Sequence, residues 1–232
     1  MNSIIFNHFD IDAVIVDLDG TMVDTLGDFV VALNCMLADL PPPHRDFRID
    51  RATVALLVGK GSEHLLSSVL RLAPGAEMTD LDALYADAWR SYQHYYLAIN
   101  GQYATVYPGV LGGLQQLKAH GLKLACLTNK PTAFAAPLLK AKALDDFFVL
   151  SFGGDAFARK KPDPLPLLKT CEALGTVPQR TLMIGDSSND AQAARAAGCP
   201  VLLVTYGYNH GVPIGDVDAD AFVDSLAQLF EV

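Results

Sequence analysis

Short apolar runs and segments with helical apolar spacing alternate along the second half of the chain. The helical segments keep apolar residues three and four positions apart, and the apolar runs between them end at glycine or at polar residues. This alternation predicts βαβ units and therefore a parallel sheet flanked by helices. The predicted strands are residues 13–16, 122–127, 147–152, 181–184 and 201–204, and the predicted helices are residues 110–120, 132–143, 165–174 and 190–197.

A different pattern covers the region between the first predicted strand and Pro108. Helical apolar spacing is found there in residues 29–40, 62–72 and 82–97, and no apolar run of comparable strength interrupts them. We therefore predict an α/β fold in which a Rossmann-like core, residues 1–23 plus 105–232, carries an inserted helical cap domain of residues 24–104. The aromatic residues of the third segment are interpreted as the core of this insertion.

Two carboxylates follow the first predicted strand. Asp17 and Asp19 are two residues apart, so on an extended chain their side chains point the same way. Open α/β sheets bind ligands at the carboxyl ends of their strands. Adjacent carboxylates at such a place repel each other, which indicates a cation between them, most simply a divalent metal ion. A polar turn with an aspartate at the start of a helix is the alternative for this string taken alone.

Polar residues also follow three later strands. Thr128, Asn129 and Lys130 come after the second strand, a basic segment at 159–164 comes after the third, and residues 185–190, with Asp186 and Asp190, come after the fourth. These residue types bind metal or phosphate, and their repeated placement at strand ends predicts a single site.

Composition narrows the classes of function. The 232 residues carry a formal net charge of −9, which argues against binding to nucleic acid or to an anionic membrane. The N-terminus shows no signal-peptide pattern, and the four cysteines are scattered without metal-ligand spacing. We therefore expect a cytoplasmic location and a chain whose positive charge is gathered locally around an anionic substrate.

The strand-end motifs resemble those of the haloacid dehalogenase superfamily of phosphohydrolases. The four superfamily motifs match residues 17–21, Thr128, Lys161 and residues 185–190, in order and on the expected strands. The resemblance covers nearly the whole chain, and the helical insertion corresponds to the small cap of the superfamily. Within it, the chain is most similar to bacterial phosphoglycolate phosphatases, through residues 59–61, 128–131, 160–162 and 206–209.

The resemblance implies a Mg²⁺-dependent phosphatase of carbohydrate metabolism. It would convert 2-phosphoglycolate to glycolate and phosphate through an aspartyl-phosphate intermediate. Asp17 is then the nucleophile, and Asp19 the general acid and base. The metal is expected on the Asp17 carboxylate, the Asp19 backbone carbonyl and Asp186, while Thr128 and Lys161 complete the catalytic set.

Several roles near the predicted site stay open. Gly20, Thr21, Asn129 and Lys60 are expected to contact substrate, with Lys60 in a cap loop as either a contact for the substrate carboxylate or an ordinary turn residue. Asp190 would support the site, by holding a metal-bound water or by positioning Lys161. Two further lysines lie in these motifs. Lys130 is either a substrate contact or a solvated residue at a helix start, and Lys160 is interpreted as surface charge.

Other activities were compared with this interpretation. Another small-molecule phosphatase or a sugar-phosphate mutase of the same superfamily are the nearest alternatives, although the cap loop lacks the mutase arginine. A phosphonate hydrolase would form a Schiff base between its substrate and a cap lysine, for which Lys60 is the candidate. The presence of Asp19 argues against a dehalogenase. A non-catalytic receiver-like regulator is shorter and has no inserted cap. The expected partner is a small anionic phosphoester, with no nucleic acid and no membrane, and the chain is a monomer or a homodimer.

Overall fold

The computed structural model describes residues 10–74 and 78–230, and for residues 78–82 it describes the backbone alone. The prediction that the chain begins without a signal peptide concerns residues largely outside these ranges. The strands are β1 (Ala13–Val16), β2 (Val23–Asp24), β3 (Thr105–Val106), β4 (Lys123–Leu127), β5 (Leu150–Phe152), β6 (Thr181–Gly185), β7 (Val201–Val204) and β8 (Ala221–Val223). The helices are α1 (Leu26–Asp39), α2 (Arg51–Leu57), α3 (Ser62–Leu72), α4 (Met78–Ile99), α5 (Val110–Ala119), α6 (Thr132–Ala141), α7 (Leu165–Leu174) and α8 (Ser188–Ala197).

A six-stranded parallel sheet forms the core, in the order β5-β4-β1-β6-β7-β8. The first strand of the sequence, β1, lies inside the sheet between β4 and β6. Strands β4 and β5 therefore lie on one side of β1, and strands β6, β7 and β8 lie on the other. This arrangement is a topological switch point, where open α/β sheets place their ligands. The predicted parallel α/β fold with a helical insertion is confirmed.

The strands of this sheet are buried on both faces. Val14 and Val16 of β1 pack in a cluster with side chains of α5 and α6, whereas Ala13 and Ile15 pack on the opposite face with α7 and α8. Strands covered on both sides have no polar face, and this explains why they form uninterrupted apolar runs in the sequence. Polar residues can therefore enter only where each strand ends.

Helices α1 to α4 form the insertion and have a core of their own. Their buried side chains include Leu33, Met36, Tyr92 and Tyr96, and Phe134 of α6 packs against the same cluster. The two tyrosines are fully buried, so the interpretation of these aromatic residues as core is confirmed. No helix in the described part of the chain is long and apolar enough to cross a membrane.

Both ends of the insertion are joined by a short two-stranded ribbon. In this ribbon Val23 pairs with Val106 and Asp24 with Thr105. Next to it the buried Asp28 of α1 accepts hydrogen bonds from the backbone N–H groups of Gly101 and Tyr103, each at 2.7 Å. The ribbon lies at the predicted domain boundaries, although the division into two domains stays a prediction.

The sequence did not predict helix α2 or the strands β2, β3 and β8, and one strand is shorter than expected. Helix α2 has only seven residues and begins at Asp50, whose carboxylate accepts from the Thr53 N–H at 2.7 Å. The ribbon strands have two residues each, and β8 has three and is partly exposed, so none of these shows a measurable apolar period. The strand expected at 147–152 begins at Leu150, because Asp145–Phe147 forms a short 3₁₀ turn.

The Asp28 carboxylate should be a main source of stability at the junction. Asp28→Ala removes a buried charged acceptor and leaves two backbone N–H groups of the junction without their partner, so we expect it to lower the free energy of unfolding in urea by about 2 kcal/mol. Asp39→Ala on the same helix is the matched control, because Asp39 is exposed and its carboxylate accepts hydrogen bonds from the side chains of Ser91 and Tyr95. The control should cost about 1 kcal/mol or less. Equal losses in the two variants would contradict this assignment.

Candidate active site

A pocket lies where the carboxyl ends of β1, β4 and β6 meet the insertion. The strand ends bring together residues that are far apart in the sequence, because parallel strands finish at the same edge of a sheet. From the sheet side the pocket is lined by Asp17, Asp19, Thr128, Asn129, Lys130, Lys161, Asp186, Ser187, Asp190 and Tyr208, and from the insertion by Phe29, Val58, Gly59, Gly61, Ser62 and Leu65.

Lys161 forms the charged centre of this pocket. Its Nζ donates hydrogen bonds to Asp190 Oδ1 at 2.7 Å and to the Leu127 carbonyl at 2.8 Å, and it lies 2.9 Å from Asp17 Oδ1. Asp190 is held in turn, since its other oxygen accepts from the Ser187 hydroxyl at 2.8 Å. Of the two roles predicted for Asp190, the geometry provides the positioning of Lys161.

Asp186 is fixed from two sides at the end of β6. Its carboxylate accepts from the Thr21 hydroxyl at 3.0 Å and from the Tyr208 backbone N–H at 2.6 Å. Gly20 passes so close that a β-carbon there would lie 2.1 Å from Asp186 Oδ2, and its φ of +84° is also one that glycine tolerates best. The turn after β1 therefore requires glycine because the two strand ends approach each other so closely.

The second aspartate after β1 lies in a tight turn. The backbone N–H groups of Met22 and Val23 both bond to the Leu18 carbonyl at 3.0 Å, and the Gly20 N–H bonds to Val23 at 2.9 Å. This turn places the Asp19 carboxylate 3.1 Å from Lys130 Nζ. The structure thus contains two lysine–aspartate pairs side by side, one at each carboxylate of the Asp-x-Asp motif.

Asn129 connects the strand ends to the insertion. Its side-chain amide donates to the Lys161 carbonyl at 2.8 Å and to the Gly59 carbonyl at 3.0 Å, and its oxygen accepts from the Lys161 N–H at 3.0 Å. The neighbouring Thr128 lines the pocket and accepts from the Lys130 N–H at 3.2 Å. One amide therefore orients both the backbone of Lys161 and the loop of the insertion that covers the pocket.

Burial changes the protonation of these groups. Burial raises the pKa of Asp17 to about 7; the charge of Lys161 opposes this rise, whereas the charges of Asp190 and Asp19 add to it. The pKa of Asp186 is raised well above its usual range, by burial first and then by Asp190 and Asp17. Burial alone would lower the pKa of Lys161, but the adjacent Asp17 and Asp190 raise it, so this lysine stays charged.

The arrangement fits a divalent cation. Carboxylate oxygens of Asp17, Asp186 and Asp190 lie within 4.8 Å of one another and all three residues are buried. Asp17 Oδ1 has no aligned hydrogen-bond partner among the described residues, although the Lys161 ammonium is close to it. Three buried carboxylates beside one lysine leave uncompensated negative charge, and oxygen ligands are those that Mg²⁺ and Ca²⁺ prefer. A metal ion would therefore supply the missing positive charge.

Comparison with known proteins agrees with this site. The sequence pattern of the haloacid dehalogenase-like hydrolases matches residues 11–198, which include every pocket-lining residue given above except Tyr208. The chain belongs to the haloacid dehalogenase-like hydrolase family. The resemblance inferred from the four motifs is thereby confirmed, and a receiver-like regulator is excluded as the class of this chain.

Individual relatives of this hydrolase are similar over almost their full length. A phosphoglycolate phosphatase of Thiobacillus denitrificans is 45% identical, over 94% of this chain and 93% of the relative. A crystal structure of a predicted phosphoglycolate phosphatase from Haemophilus somnus superposes with a TM-score of 0.86 at 32% identity, over 94% and 96% of the two chains. CbbY from Rhodobacter sphaeroides, crystallised with phosphate, has a TM-score of 0.78 at 26% identity, over 95% and 96%.

Three residues predicted to contact substrate lie outside the pocket lining of this hydrolase. Lys60 has an exposed side chain, whereas the glycines on either side of it line the pocket. Gly20 and Thr21 are buried against Asp186, as described above. A substrate contact by these three residues stays a prediction, whereas Asn129 does line the pocket.

The sequence alone assigns no single role to two residues of this pocket, Lys130 and Tyr208. Lys130 was left open between a substrate contact and a solvated residue, and the structure buries its side chain at 1% exposure. Tyr208 supports Asp186 through its N–H, while its hydroxyl donates to Asp24 Oδ1 at 2.6 Å at the start of the insertion. The sequence pointed to Lys130 only through its position directly after Thr128 and Asn129. Tyr208 had only its place in a motif shared with phosphoglycolate phosphatases.

The raised pKa of Asp17 predicts a specific dependence of stability on pH. In the metal-free protein the folded state keeps this proton up to about pH 7, whereas the unfolded chain loses it near pH 4, so stability falls as the pH rises between these values. Asp17→Asn cannot lose the proton. Its melting temperature should equal that of the unmutated protein near pH ~4 and exceed it by about 4 °C or more near pH ~8.

Adding a divalent cation at the higher pH should reverse this order. The cation compensates the charge of Asp17 and therefore stabilises the unmutated protein more than the variant. Melting temperatures measured with and without chelator give both comparisons. A variant that follows the unmutated protein at every pH would show that Asp17 does not titrate in this range.

Proposed function

We propose that this hydrolase cleaves phosphomonoesters, with 2-phosphoglycolate as its main substrate and Mg²⁺ as its metal ion. The observation that carries the proposal is the buried Asp17 carboxylate, which lies 2.9 Å from the Lys161 ammonium in a pocket covered by the insertion. The identity of 45% to a phosphoglycolate phosphatase over almost the whole chain supports the choice of substrate.

Asp17 has the properties of a nucleophile for phosphoryl transfer. A carboxylate must approach a phosphate that is itself negative, so the site has to supply positive charge at the point of attack. Lys161 is 2.9 Å from Asp17 and is held by Asp190, so its charge stays at the attacking oxygen. Asp17 would form a bond to phosphorus while the bond from phosphorus to the glycolate oxygen breaks.

Asp19 is the proposed acid and base. It donates a proton to the departing glycolate oxygen, and in the second step it takes a proton from the water that attacks the aspartyl-phosphate. Water oxygen then bonds to phosphorus, the Asp17 carboxylate is restored, and inorganic phosphate leaves. Asp19 lies two residues after the proposed nucleophile, and its carboxylate faces the same pocket.

The remaining strand-end residues would bind the phosphoryl group and the metal. Thr128 offers its hydroxyl and Asn129 its backbone N–H toward the same pocket, whereas the Thr128 N–H donates to the Phe152 carbonyl at 3.1 Å. The Asp17 and Asp186 carboxylates and the Asp19 carbonyl would hold Mg²⁺. When bound, this ion supplies charge neutralisation for the transferring phosphoryl group.

The lining contributed by the insertion favours a short substrate. Phe29, Val58 and Leu65 present apolar side chains above the catalytic residues, and Gly59 and Gly61 bring backbone rather than side chains to the pocket. A small substrate with a phosphate and one carboxylate fits such a closed space, and longer groups would meet the apolar side chains. Selectivity would then depend on shape and on backbone N–H groups of the loop.

A sugar-phosphate mutase is less consistent with the same loop. No arginine stands in residues 59–63, and Glu63 in the first turn of α3 accepts a hydrogen bond from Lys160 of the core at 2.7 Å. Lys160 is only half-buried and does not line the pocket. The Lys160–Glu63 pair therefore holds the insertion against the core. This contact forms whether or not the substrate carries a second phosphate.

The nucleophile assignment can be tested by Asp17→Asn. The amide keeps the shape of the carboxylate but cannot attack phosphorus, so turnover should fall by at least about 10⁴-fold in the presence of Mg²⁺ while the fold is retained. Unmutated protein is assayed in parallel on a panel of small phosphomonoesters, where 2-phosphoglycolate should have the highest kcat/KM. A variant that keeps a tenth of the rate would remove Asp17 from this role. Preference for another phosphoester would change the substrate and leave the chemistry in place.

The exposed position of Lys60 gives a second test. If the loop contacts the substrate carboxylate through its backbone, Lys60→Ala should leave kcat/KM for 2-phosphoglycolate within about threefold of the unmutated value. p-Nitrophenyl phosphate, which has no carboxylate, is the control substrate. A loss of about tenfold or more that is confined to 2-phosphoglycolate would assign the carboxylate contact to the Lys60 side chain, as the sequence predicted.

A further inference from the structure

Lys130 lies between the sheet and the insertion, at the end of β4. Its Nζ is 3.1 Å and 3.3 Å from the two oxygens of Asp19 and donates to the Tyr96 hydroxyl at 2.5 Å. The lysine side chain is 1% exposed and that of Asp19 is 10% exposed. The contact is therefore screened from water and constrains the direction of the Asp19 carboxylate.

Two aromatic rings of the insertion enclose this ammonium group. Nζ is 4.5 Å from the ring centre of Phe29 and 4.6 Å from that of Tyr96, and the two rings are 5.3 Å apart. Phe29 belongs to α1 and Tyr96 to α4, and both are buried. Cation–π contacts are strongest where water is excluded, so the rings fix the position of the charge. The insertion thus determines where Lys130 lies.

The two buried lysines of the pocket serve different carboxylates. Lys161 lies against Asp17 and Asp190, and Lys130 lies against Asp19 alone among the described carboxylates. The backbone of Asp19 is already fixed by its turn, so the direction of its side chain is the freedom that remains. Lys130 and the rings behind it remove this freedom.

We infer that Lys130 is a positioning residue that holds Asp19 in place for acid–base catalysis. Phe29 and Tyr96 of the insertion hold Lys130 in turn, so the position of Asp19 depends on the insertion. The inference rests on the proposed function, because it assumes that Asp19 protonates the leaving group. Lys130 acts through Asp19. The insertion then has a part in the chemistry as well as covering the pocket.

The test measures how kcat/KM depends on the leaving group. Phenyl phosphate and p-nitrophenyl phosphate have similar size and no carboxylate, but nitrophenolate leaves readily without a proton, whereas phenolate depends more on the acid. Lys130→Met removes the charge while keeping a long apolar side chain. It should lower kcat/KM for phenyl phosphate about tenfold more than for p-nitrophenyl phosphate. Equal losses on the two substrates would overturn the inference.

A loss confined to 2-phosphoglycolate would also overturn it. In that outcome Lys130 would contact the substrate carboxylate, and the two phenyl esters would keep their unmutated ratio. Lys160→Met is the matched control, because it removes another lysine–carboxylate pair between insertion and core, at 2.7 Å, without touching Asp19. This control should leave the ratio of the two phenyl esters unchanged. If Lys160→Met also changes this ratio, the effect comes from the packing of the insertion on the core and not from the contact between Lys130 and Asp19.

Asp19→Ala separates failure of the inference from failure of the proposed function. If this variant itself shows no extra loss on phenyl phosphate, Asp19 is not the acid and the proposed function fails. If Asp19→Ala shows the extra loss on phenyl phosphate but Lys130→Met does not, only the inference fails. In the Asp19→Ala background, Lys130→Met should not change the ratio further, since a positioning residue acts through its partner.

Tyr96→Phe tests the contribution of the insertion and is available even if Lys130→Met does not fold. It removes the hydroxyl that accepts from Lys130 and keeps the ring. The ratio of the two phenyl esters should shift in the same direction as in Lys130→Met, by a smaller factor of about threefold. A ratio equal to that of the unmutated protein, in a variant with an unchanged melting temperature, would remove the insertion from this mechanism.

Discussion

Burial of several carboxylates around a single lysine is the constraint on which the rest of the site depends. Asp17, Asp186 and Asp190 lie together at the carboxyl ends of β1 and β6, with Lys161 between two of them. Burial of like charges is unfavourable, which is why the pKa values of Asp17 and Asp186 are raised. The site therefore suits a divalent cation, and its supporting residues keep the carboxylates close together.

The support comes from short polar contacts rather than from the hydrophobic core. Asn129 orients Lys161, Ser187 orients Asp190, and Thr21 with the Tyr208 N–H orients Asp186. Most of these contacts join different strand ends, so they form only when the sheet is assembled. A parallel sheet with a buried interior supplies rigid strands, and the groups at their ends take up positions that the reaction needs.

The insertion is bound to the same strand ends at separate points. Asn129 holds the Gly59 carbonyl, Tyr208 holds Asp24 at the junction, and Lys130 is enclosed by aromatic rings of the insertion. Each contact joins a residue of the insertion to one that lines the pocket. Movement of the insertion would therefore change the surroundings of catalytic groups, and this links the closing of the pocket to the chemistry within it.

Much of this architecture is determined locally and could be predicted. Buried parallel strands appear as apolar runs, and the strands 13–16 and 201–204 and the helices 62–72 and 165–174 have the predicted bounds. The positions of Asp17 and Asp19 were predictable because charged residues directly after a buried apolar strand must lie at the edge of the sheet. Elements without a period, such as α2 and the ribbon of β2 and β3, are stabilised by tertiary contacts and leave no clear signal in the sequence.

The sequence by itself determined the fold class, the family and the residues at the strand ends. Only the tertiary structure decided what each lysine does. Lys60 and Lys130 both stand beside residues of recognised motifs, yet one is exposed and the other is buried between aromatic rings. The physical reason is that the surroundings of a charge are set by elements distant in the chain. Tyr96, on a helix 34 residues away from Lys130, supplies both a ring and a hydroxyl to that lysine.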